Sequence, residues 1–288
     1  MCHAETGSSA ITAENVYELF PEVEALSVVS LTTCGVSATE SGDFEGYDEE
    51  QVRMMDEVCI ALDVDDEPIS RASKECVSAP PCEVLFNDSI QSSNYLLGHL
   101  MTNIDKGLLH RAFSCFVFDS QRRLLLQQRA DKKITFPMMW TNTCCSHPLD
   151  IPGKRGTGFK SAILGAKRAA RRKLEQELGI KPEQVPLEDF HFLTRVHYKA
   201  PSDGKWGEHE MDHILFIQAD VDLAVNRNEV QDSRWVSPED LKKMFPTPGL
   251  QYTPWFKLIC ESLLFKWWAN LGTPEFHRYT NETIIRRM

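Results

Sequence analysis

One amphipathic helix between strand-like runs constrains the fold of this chain more than any other feature. Five apolar residues recur at helical spacing before Gly179, which supplies a helix stop: Ile163, Ala166, Ala170, Leu174 and Leu178. Runs at 110–118 and 123–128 predict a β-hairpin before this helix, and runs at 190–199 and 210–219 predict two strands after it. This order of elements predicts an α/β fold with a central sheet.

Three further signals mark elements at the two ends of the domain. Residues 58–62 are apolar and precede an acidic turn, which predicts a strand. Ser237-Pro238 predicts a capped helix, and Thr253-Pro254 predicts the start of a last apolar helix that ends before Gly272. A short helix is also predicted near residues 13–20.

The negative charge of the chain is concentrated at its N-terminus. The formal net charge is -11, yet residues 1–57 hold thirteen acidic residues and one basic residue, so the rest is nearly neutral. An anionic ligand is therefore not excluded. We expect an acidic, flexible N-terminal arm at 1–47 and a single enzyme domain at 48–288.

The cysteine content indicates the compartment. Nine cysteines in 288 residues, two of them adjacent, indicate reduced thiols rather than a secreted disulfide framework. The N-terminus resembles neither a secretory signal nor a transit peptide, and no apolar run approaches a membrane span. We expect a cytoplasmic protein that binds no nucleic acid, with Arg287-Met288 leaving a peroxisomal address as the alternative. The sequence does not indicate the oligomeric state.

Two glutamates with one residue between them, Glu208 and Glu210, predict a carboxylate pair on one face of a strand, with His209 on the other face. Paired exposed glutamates are common, so the pair alone does not specify a metal site. Three histidines could complete a ligand set suited to zinc, manganese or magnesium: His99, His110 and His147.

The adjacent cysteines allow two interpretations. Cys145 could act as a base or nucleophile if a cation or metal stabilised its thiolate, and His147 would bring a metal near. Otherwise Cys144 and Cys145 are small buried hydrophobic residues. We expect one of the pair to pack inward and the other to face a cavity.

A second set of charges points to a phosphate. Arg129 and Lys133, four residues apart, either clamp a phosphate or are ordinary solvated charges. Glu177 in the last turn of the helix opposes the helix dipole by up to about 1 kcal/mol. It either pairs with Lys173 or holds a second cation bridged to the phosphate.

Longer runs carry a resemblance to a known family. The runs are 106–113, 124–129, 141–148 (TNTCCSHP), 206–210 (WGEHE), 253–256 and 265–268. From about Asp48 to the C-terminus, the chain is similar to the eukaryotic type I isopentenyl-diphosphate isomerases. Residues 158–180 also resemble a degenerate Nudix box, in which Lys173, Gln176 and Leu164 stand where Nudix hydrolases usually carry glutamates.

The resemblance implies a Nudix-like α/β/α sandwich with a central mixed sheet. It implies an isomerase that interconverts isopentenyl diphosphate and dimethylallyl diphosphate in isoprenoid and sterol precursor synthesis. The catalytic positions it implies are Cys145, Glu210, Tyr198 and Trp255, and the substrate-binding positions are Lys74, Arg129, Lys133 and Ser146. The implied ligands of a zinc, manganese or magnesium ion are His99, His110, His147, Glu208 and Glu210, with Glu177 binding Mg²⁺ together with the diphosphate.

The implied chemistry requires two proton-transfer groups that face each other across the substrate. In the family's mechanism one proton is added and another removed through a tertiary carbocation, and we expect Glu210 to protonate and the Cys145 thiolate to abstract. Because a metal-bound carboxylate is hard to protonate, Tyr198 or a metal-bound water is expected to relay the proton. Trp255 either stabilises the cation with its ring or only anchors the last helix.

The chain departs from the family between Lys74 and His99. Residues 75–98 form an insertion of loop-like composition where similar chains have only a few residues. It is either a natural surface loop or a mis-spliced segment, since Val77-Ser78 matches the start of an intron. Two other functions remain open from the sequence. One is a Nudix-type diphosphate hydrolase, and the other is a catalytically impaired metal-binding relative in which the insertion has displaced Lys74 and His99.

Overall fold

The computed structural model describes residues 44–73, 108–150, 158–203 and 206–288. The helix predicted near residues 13–20 and the insertion at 75–98 lie outside these ranges. So do two of the predicted site residues, Lys74 and His99.

The described ranges form ten strands, five α-helices, one π-helical segment and three short 3-10 helices. The strands are β1 (Val58–Leu62), β2 (Pro68–Ser73), β3 (His110–Phe118), β4 (Leu124–Arg129), β5 (Trp140–Thr141), β6 (Cys144–Ser146), β7 (His191–Pro201), β8 (Gly207–Gln218), β9 (Val230–Val236) and β10 (Ile285–Arg287). The helices are α1 (Glu49–Met54), α2 (Phe159–Leu178), α3 (Pro238–Met244), α4 (Pro254–Ile259) and α5 (Phe265–Asn270), with the π-helical segment at Cys260–Leu264. The 3-10 helices are Pro182–Gln184, Leu187–Asp189 and Pro274–Tyr279.

The strands form one mixed sheet in the order β10-β7-β8-β3-β1-β2. Strand β3 runs parallel to β8, and β7 runs antiparallel to β8. The predicted hairpin of β3 and β4 is confirmed, but its strands pair only at Phe118 and Leu124 before β4 turns to pair with β9. The predicted central mixed sheet is therefore confirmed, and β3 and β8 lie at its centre.

Helix α2 covers one face of the sheet, as its apolar spacing predicts. Ala166, Ala170 and Leu174 are fully buried in one core cluster with Cys115 and Val117 of β3. The helix ends where Gly179 adopts φ 66°, and a Cβ there would lie 2.5 Å from the carbonyl oxygen of Ala224. Only glycine combines this backbone angle with this close approach.

Aromatic side chains cover the opposite face. Phe116 and Phe118, which alternate with the α2-facing residues of β3, pack in a cluster with Phe256 of α4 and Trp268 of α5. The predicted helix from Pro254 to Trp268 is present, interrupted by the π-helical segment. Helical layers on both faces complete the predicted α/β/α sandwich. None of the helices in the described ranges has the length and apolar character needed to cross a membrane.

A buried ion cluster fastens the β1–β2 turn to the centre of the sheet. Asp66 in this turn accepts a hydrogen bond from Arg111 Nε at 2.9 Å, and its Oδ2 lies 3.1 Å from Arg195 Nη1 and 3.3 Å from His213 Nε2. Burial alone would raise the pKa of Asp66, but His213 and Arg111 outweigh burial and hold the pKa well below its usual range. The turn therefore depends on an ionised carboxylate.

We expect Asp66→Asn to lower the free energy of unfolding by about 3 kcal/mol at pH 7, because it leaves two buried guanidinium groups without their counter-charge. A depressed folded-state pKa stabilises the fold above the unfolded pKa, so the difference between the two proteins should shrink as the pH falls below about 5. Urea unfolding at a series of pH values measures both effects. Asp65→Asn, at the exposed neighbour, is the matched control and should change stability by less than about 0.5 kcal/mol; an equal loss in both variants would contradict the role of the cluster.

Candidate active site

Strand β8 presents two buried carboxylates on one face. Glu208 and Glu210 are 6% and 8% exposed, whereas His209 between them turns to the other face and lies 2.8 Å from His197, Nε2 to Nε2. The predicted alternation is confirmed. Because neither carboxylate is screened by bulk water, their mutual repulsion must be offset by nearby positive charge.

Two histidines from neighbouring strands meet these carboxylates. His110 stands opposite Glu210 in the parallel register of β3 and β8, and His147 follows β6 directly. His147 Nε2 lies 3.1 Å from His110 Nε2 and 2.9 Å from Glu210 Oε1. His110 Nε2 lies 3.6 Å from Glu208 Oε2. One ligand atom from each of the four residues falls within 4.8 Å of the others.

This donor set fits a divalent metal ion. Two imidazole nitrogens and two carboxylates suit zinc, manganese or magnesium, and nitrogens bound to one zinc ion at about 2.0 Å would lie about as far apart as the two Nε2 atoms here. Glu208 Oε2 and His147 Nδ1 are buried and make no hydrogen bond within the described ranges. Four of the five predicted ligands of this site are therefore together, and the fifth, His99, lies outside those ranges.

Burial and neighbouring charges shift the pKa values of His110, His147 and Glu210. Burial lowers the pKa of His147. Burial also acts to lower the pKa of His110, but Glu208 and Glu210 outweigh it and raise that pKa to about 9. Burial would raise the pKa of Glu210, yet His110 and His147 hold it well below its usual range. A cation at this position, whether a proton or a metal ion, stabilises both carboxylates.

The two cysteines of β6 point to opposite faces of the sheet. Cys144 is fully buried on the α2 face, while Cys145 is half-buried and packs against the aromatic cluster on the other face. The expectation that one of the two thiols packs inward is confirmed for Cys144, and the expectation that the other faces a cavity stays a prediction for Cys145. Burial raises the pKa of the Cys145 thiol to about 12, and the nearby Arg129 guanidinium opposes that rise.

Tyr198 contacts Glu210 on the aromatic face, and Trp255 packs beside Tyr198. Tyr198 stands opposite Glu210 in the β7–β8 register, and its hydroxyl donates a hydrogen bond to Glu210 Oε2. The ring centroid of Trp255 lies 6.0 Å from that of Tyr198. Trp255 Nε1 donates to Asn142 Oδ1 at 3.1 Å, and Asn142 Nδ2 donates to the Cys144 carbonyl at 2.8 Å. Asn142 was not predicted to have a role, although a fully buried amide within a strand-like run is the kind of residue that needs such partners.

Arg129 is not a solvated surface charge. Its side chain donates to the carbonyl oxygens of Thr135 and Phe136, at 2.8 Å and 3.0 Å, and its Nη1 lies 3.9 Å from Cys145 Sγ. Its guanidinium carbon also lies 5.9 Å from the centroid of the Trp255 ring. The arginine thus brings positive charge to the thiol and to the tryptophan at once.

A second buried charge cluster lies at the end of α2. Glu177 Oε1 pairs with Lys173 Nζ at 3.2 Å, as the simpler interpretation predicted, and both side chains are almost fully buried. Lys133 forms an ion pair with Glu229, which also accepts a hydrogen bond from Gln176 at 3.2 Å. Glu229 had no sequence signal, since it is a single glutamate in a loop. The remaining predicted residue, Ser146, is 9% exposed at the end of β6.

Comparison with known proteins agrees with this fold. Residues 108–256 match the family model of the NUDIX domain, so the chain is a NUDIX-domain protein. It is 61% identical to the isopentenyl-diphosphate delta-isomerase of Aspergillus fumigatus, over 96% of both chains, and 56% identical to that of Gibberella zeae, over 98% of both. The isopentenyl-diphosphate delta-isomerase 1 of Mesocricetus auratus is 44% identical, over 84% of this chain and 96% of its own. The chain belongs to the isopentenyl-diphosphate delta-isomerase family, in its eukaryotic type I form.

Replacing one ligand should release the metal without unfolding the protein. We expect Glu208→Gln to weaken divalent-metal binding at least about tenfold, because it removes a charged donor from the four-residue set. Metal analysis of the dialysed protein measures this. His209→Gln, a change at the adjacent residue on the opposite face, is the matched control and should retain the metal. Loss of metal from both variants alike would argue against a site at the four residues.

Proposed function

We propose that the protein interconverts isopentenyl diphosphate and dimethylallyl diphosphate by adding one proton and removing another, in the supply of isoprenoid and sterol precursors. One observation supports this most. Cys145, Tyr198 and Glu210 lie on the same sheet face, beside the aromatic cluster that contains Trp255. A thiol and a carboxylate arranged in this way suit proton transfer on two sides of one small apolar group.

On the protonating side, we assign the proton donor to Glu210 together with Tyr198. The two histidines keep Glu210 ionised, so the carboxylate by itself is a poor acid. The tyrosine hydroxyl, which already donates to Glu210 Oε2, offers a proton held by the chain itself. Burial keeps the pKa of Tyr198 well above its usual value, so this hydroxyl remains protonated at neutral pH. The pair therefore supports the predicted relay through Tyr198.

On the abstracting side, we assign the base to Cys145. Its thiol must lose a proton before it can accept one from the substrate, and burial opposes that loss. Arg129 is the cation that acts against burial, with Nη1 3.9 Å from the sulfur. Because two backbone carbonyls hold the guanidinium, its charge is already oriented toward the thiol before substrate binds.

Between these two sides, the substrate would pass through a tertiary carbocation. The Trp255 ring is buried beside Tyr198 and Phe136, so it can face the cation and exclude water that would otherwise capture it. The hydrogen bond to Asn142 fixes the ring in this position.

At the polar end, we assign the diphosphate to Lys133, Ser146 and Arg129, with Lys74 as a further candidate. Glu177 would hold Mg²⁺ with the diphosphate, and zinc, manganese or magnesium would occupy the His/Glu site with His99 as an additional ligand. These ions would neutralise the phosphate charge and fix the carboxylates. The cysteines of the described ranges are free, which supports our proposal of a cytoplasmic location.

A Nudix-type hydrolase is the second candidate function, and the second charge cluster disfavours it. Lys173 and Gln176 stand where such hydrolases usually carry glutamates, and both are engaged with carboxylates of the chain. Leu164, at the third such position, is partly exposed and offers no ligand atom.

One assay tests the proposal against hydrolysis. We expect Cys145→Ala and Glu210→Gln each to reduce turnover of isopentenyl diphosphate by about 100-fold or more, since each removes a proton-transfer group. Cys144→Ala, at the neighbouring thiol on the opposite face, is the matched control and should retain most activity. The measurement follows allylic product and released phosphate together. Product that survives Cys145→Ser, or phosphate without product, would contradict the assigned roles.

Two substitutions at Trp255 separate cation stabilisation from simple anchoring of the last helix. We expect Trp255→Leu to lower kcat by about 30-fold, because loss of a desolvated cation–π contact is worth about 2 kcal/mol. Trp255→Phe keeps an aromatic face but loses the bond to Asn142, so kcat should fall less while the melting temperature falls at least as much. Equal kcat for the two variants would assign Trp255 to anchoring alone.

A further inference from the structure

Lys173 has two buried carboxylates within reach. Its Nζ lies 3.2 Å from Glu177 Oε1 and 3.6 Å from Glu229 Oε1, and its side chain is 2% exposed. Both carboxylates raise the pKa of Lys173 against the effect of burial. A lysine this deeply buried stays charged only while a carboxylate accompanies it, because water cannot replace the lost partner.

The proposed metal role of Glu177 conflicts with its ion pair to Lys173. Gln127 Nε2 already donates to Glu177 Oε2 at 3.0 Å, so Lys173 and a metal ion would compete for the negative charge of the same carboxylate. If Glu177 were the sole partner of Lys173, metal binding would leave a buried ammonium unpaired. That penalty would oppose the binding of the ion.

Contacts with other residues hold Glu229 in place next to Lys173. Its carboxylate is held by Lys133 on Oε2 and by the Gln176 amide on Oε1, and its carbonyl oxygen accepts a hydrogen bond from Ala130 N at 3.0 Å. The side chain is fully buried. Lys173 therefore needs to shift toward Glu229 Oε1 by only a fraction of an ångström to improve that contact.

We propose that Glu229 is a positioning residue that takes over Lys173 when Glu177 binds Mg²⁺, so that the ion enters without leaving a buried lysine unpaired. This inference rests on the proposed role of Glu177. It explains why two buried carboxylates, Glu177 and Glu229, lie within reach of Lys173. It also assigns Glu229 a function that acts on metal binding, not on proton transfer.

The test is a double-mutant cycle read out by binding. Calorimetric titration of the full-length protein with inorganic pyrophosphate, at a series of Mg²⁺ concentrations, yields the Mg²⁺ concentration at which pyrophosphate binding is half-enhanced. We expect Glu229→Gln to raise this concentration about tenfold or more. In a Lys173→Met background, where position 173 no longer needs a charged partner and only the ion pair of Glu229 with Lys133 is lost, the same substitution should change it by less than about twofold.

Glu229→Asp is the matched control for the fold, because it keeps the charge that Lys133 and Lys173 require. It should shift the Mg²⁺ midpoint less than Glu229→Gln does. Equal effects of Glu229→Gln in the presence and absence of Lys173 would overturn the proposal, because they would show that Glu229 acts through Lys133 or through general stability.

A third variant, Glu177→Gln, tests the metal role of Glu177 separately from the transfer of Lys173 to Glu229. Glu177→Gln should itself raise the Mg²⁺ midpoint strongly. If it leaves the midpoint unchanged, the metal role of Glu177 is wrong and the inference falls with it. If Glu177→Gln raises the midpoint while Glu229→Gln does not, the metal role stands and only the transfer of Lys173 is excluded.

Discussion

The repulsion between Glu208 and Glu210, two carboxylates on one buried strand face, governs the organisation of this site. Water does not screen them, so positive charge has to lie within a few ångströms. His110, whose pKa is raised, supplies it from β3, and His147 adds a second imidazole nitrogen from another segment, so that the donor atoms have a geometry suited to a metal ion. The register in which β3 pairs with β8 meets this requirement, because it places His110 directly opposite Glu210.

Short strand β6 connects this site to a second buried charge cluster. Cys145 faces the aromatic side, where Tyr198 joins Glu210, whereas Cys144 faces helix α2. Glu210 on one side and Glu177 on the other both raise the pKa of Cys145. Both carboxylates therefore disfavour the Cys145 thiolate. The Arg129 guanidinium acts in the opposite direction and lowers the pKa of the thiol. A diphosphate and its cation at the Glu177 end would change the electrostatic environment of the same sulfur.

Three side chains at the site are held by groups that take no part in the proposed proton transfer. Carbonyl oxygens orient Arg129, the Asn142 amide fixes Trp255 to β6, and the Gln127 amide holds one oxygen of Glu177. Such supports reduce the rearrangement needed when a substrate arrives, which is the physical basis of preorganised catalysis. They also explain why the motif from Thr141 to Pro148 contains buried polar residues beside its cysteines.

Local sequence patterns determined helices α2 and α3 and the start of the last helix at Pro254. They also determined the alternation of Glu208, His209 and Glu210 and the placement of Cys144 and Cys145 on opposite faces, because bonded geometry fixes which side chains share a face. The stop at Gly179 follows for the same reason. The sequence by itself did not determine that His110 meets Glu210, or that Glu229 serves two lysines. Those contacts join segments about a hundred residues apart, or elements without a motif. They arise only when the strands pair in one register and a shared core excludes other registers.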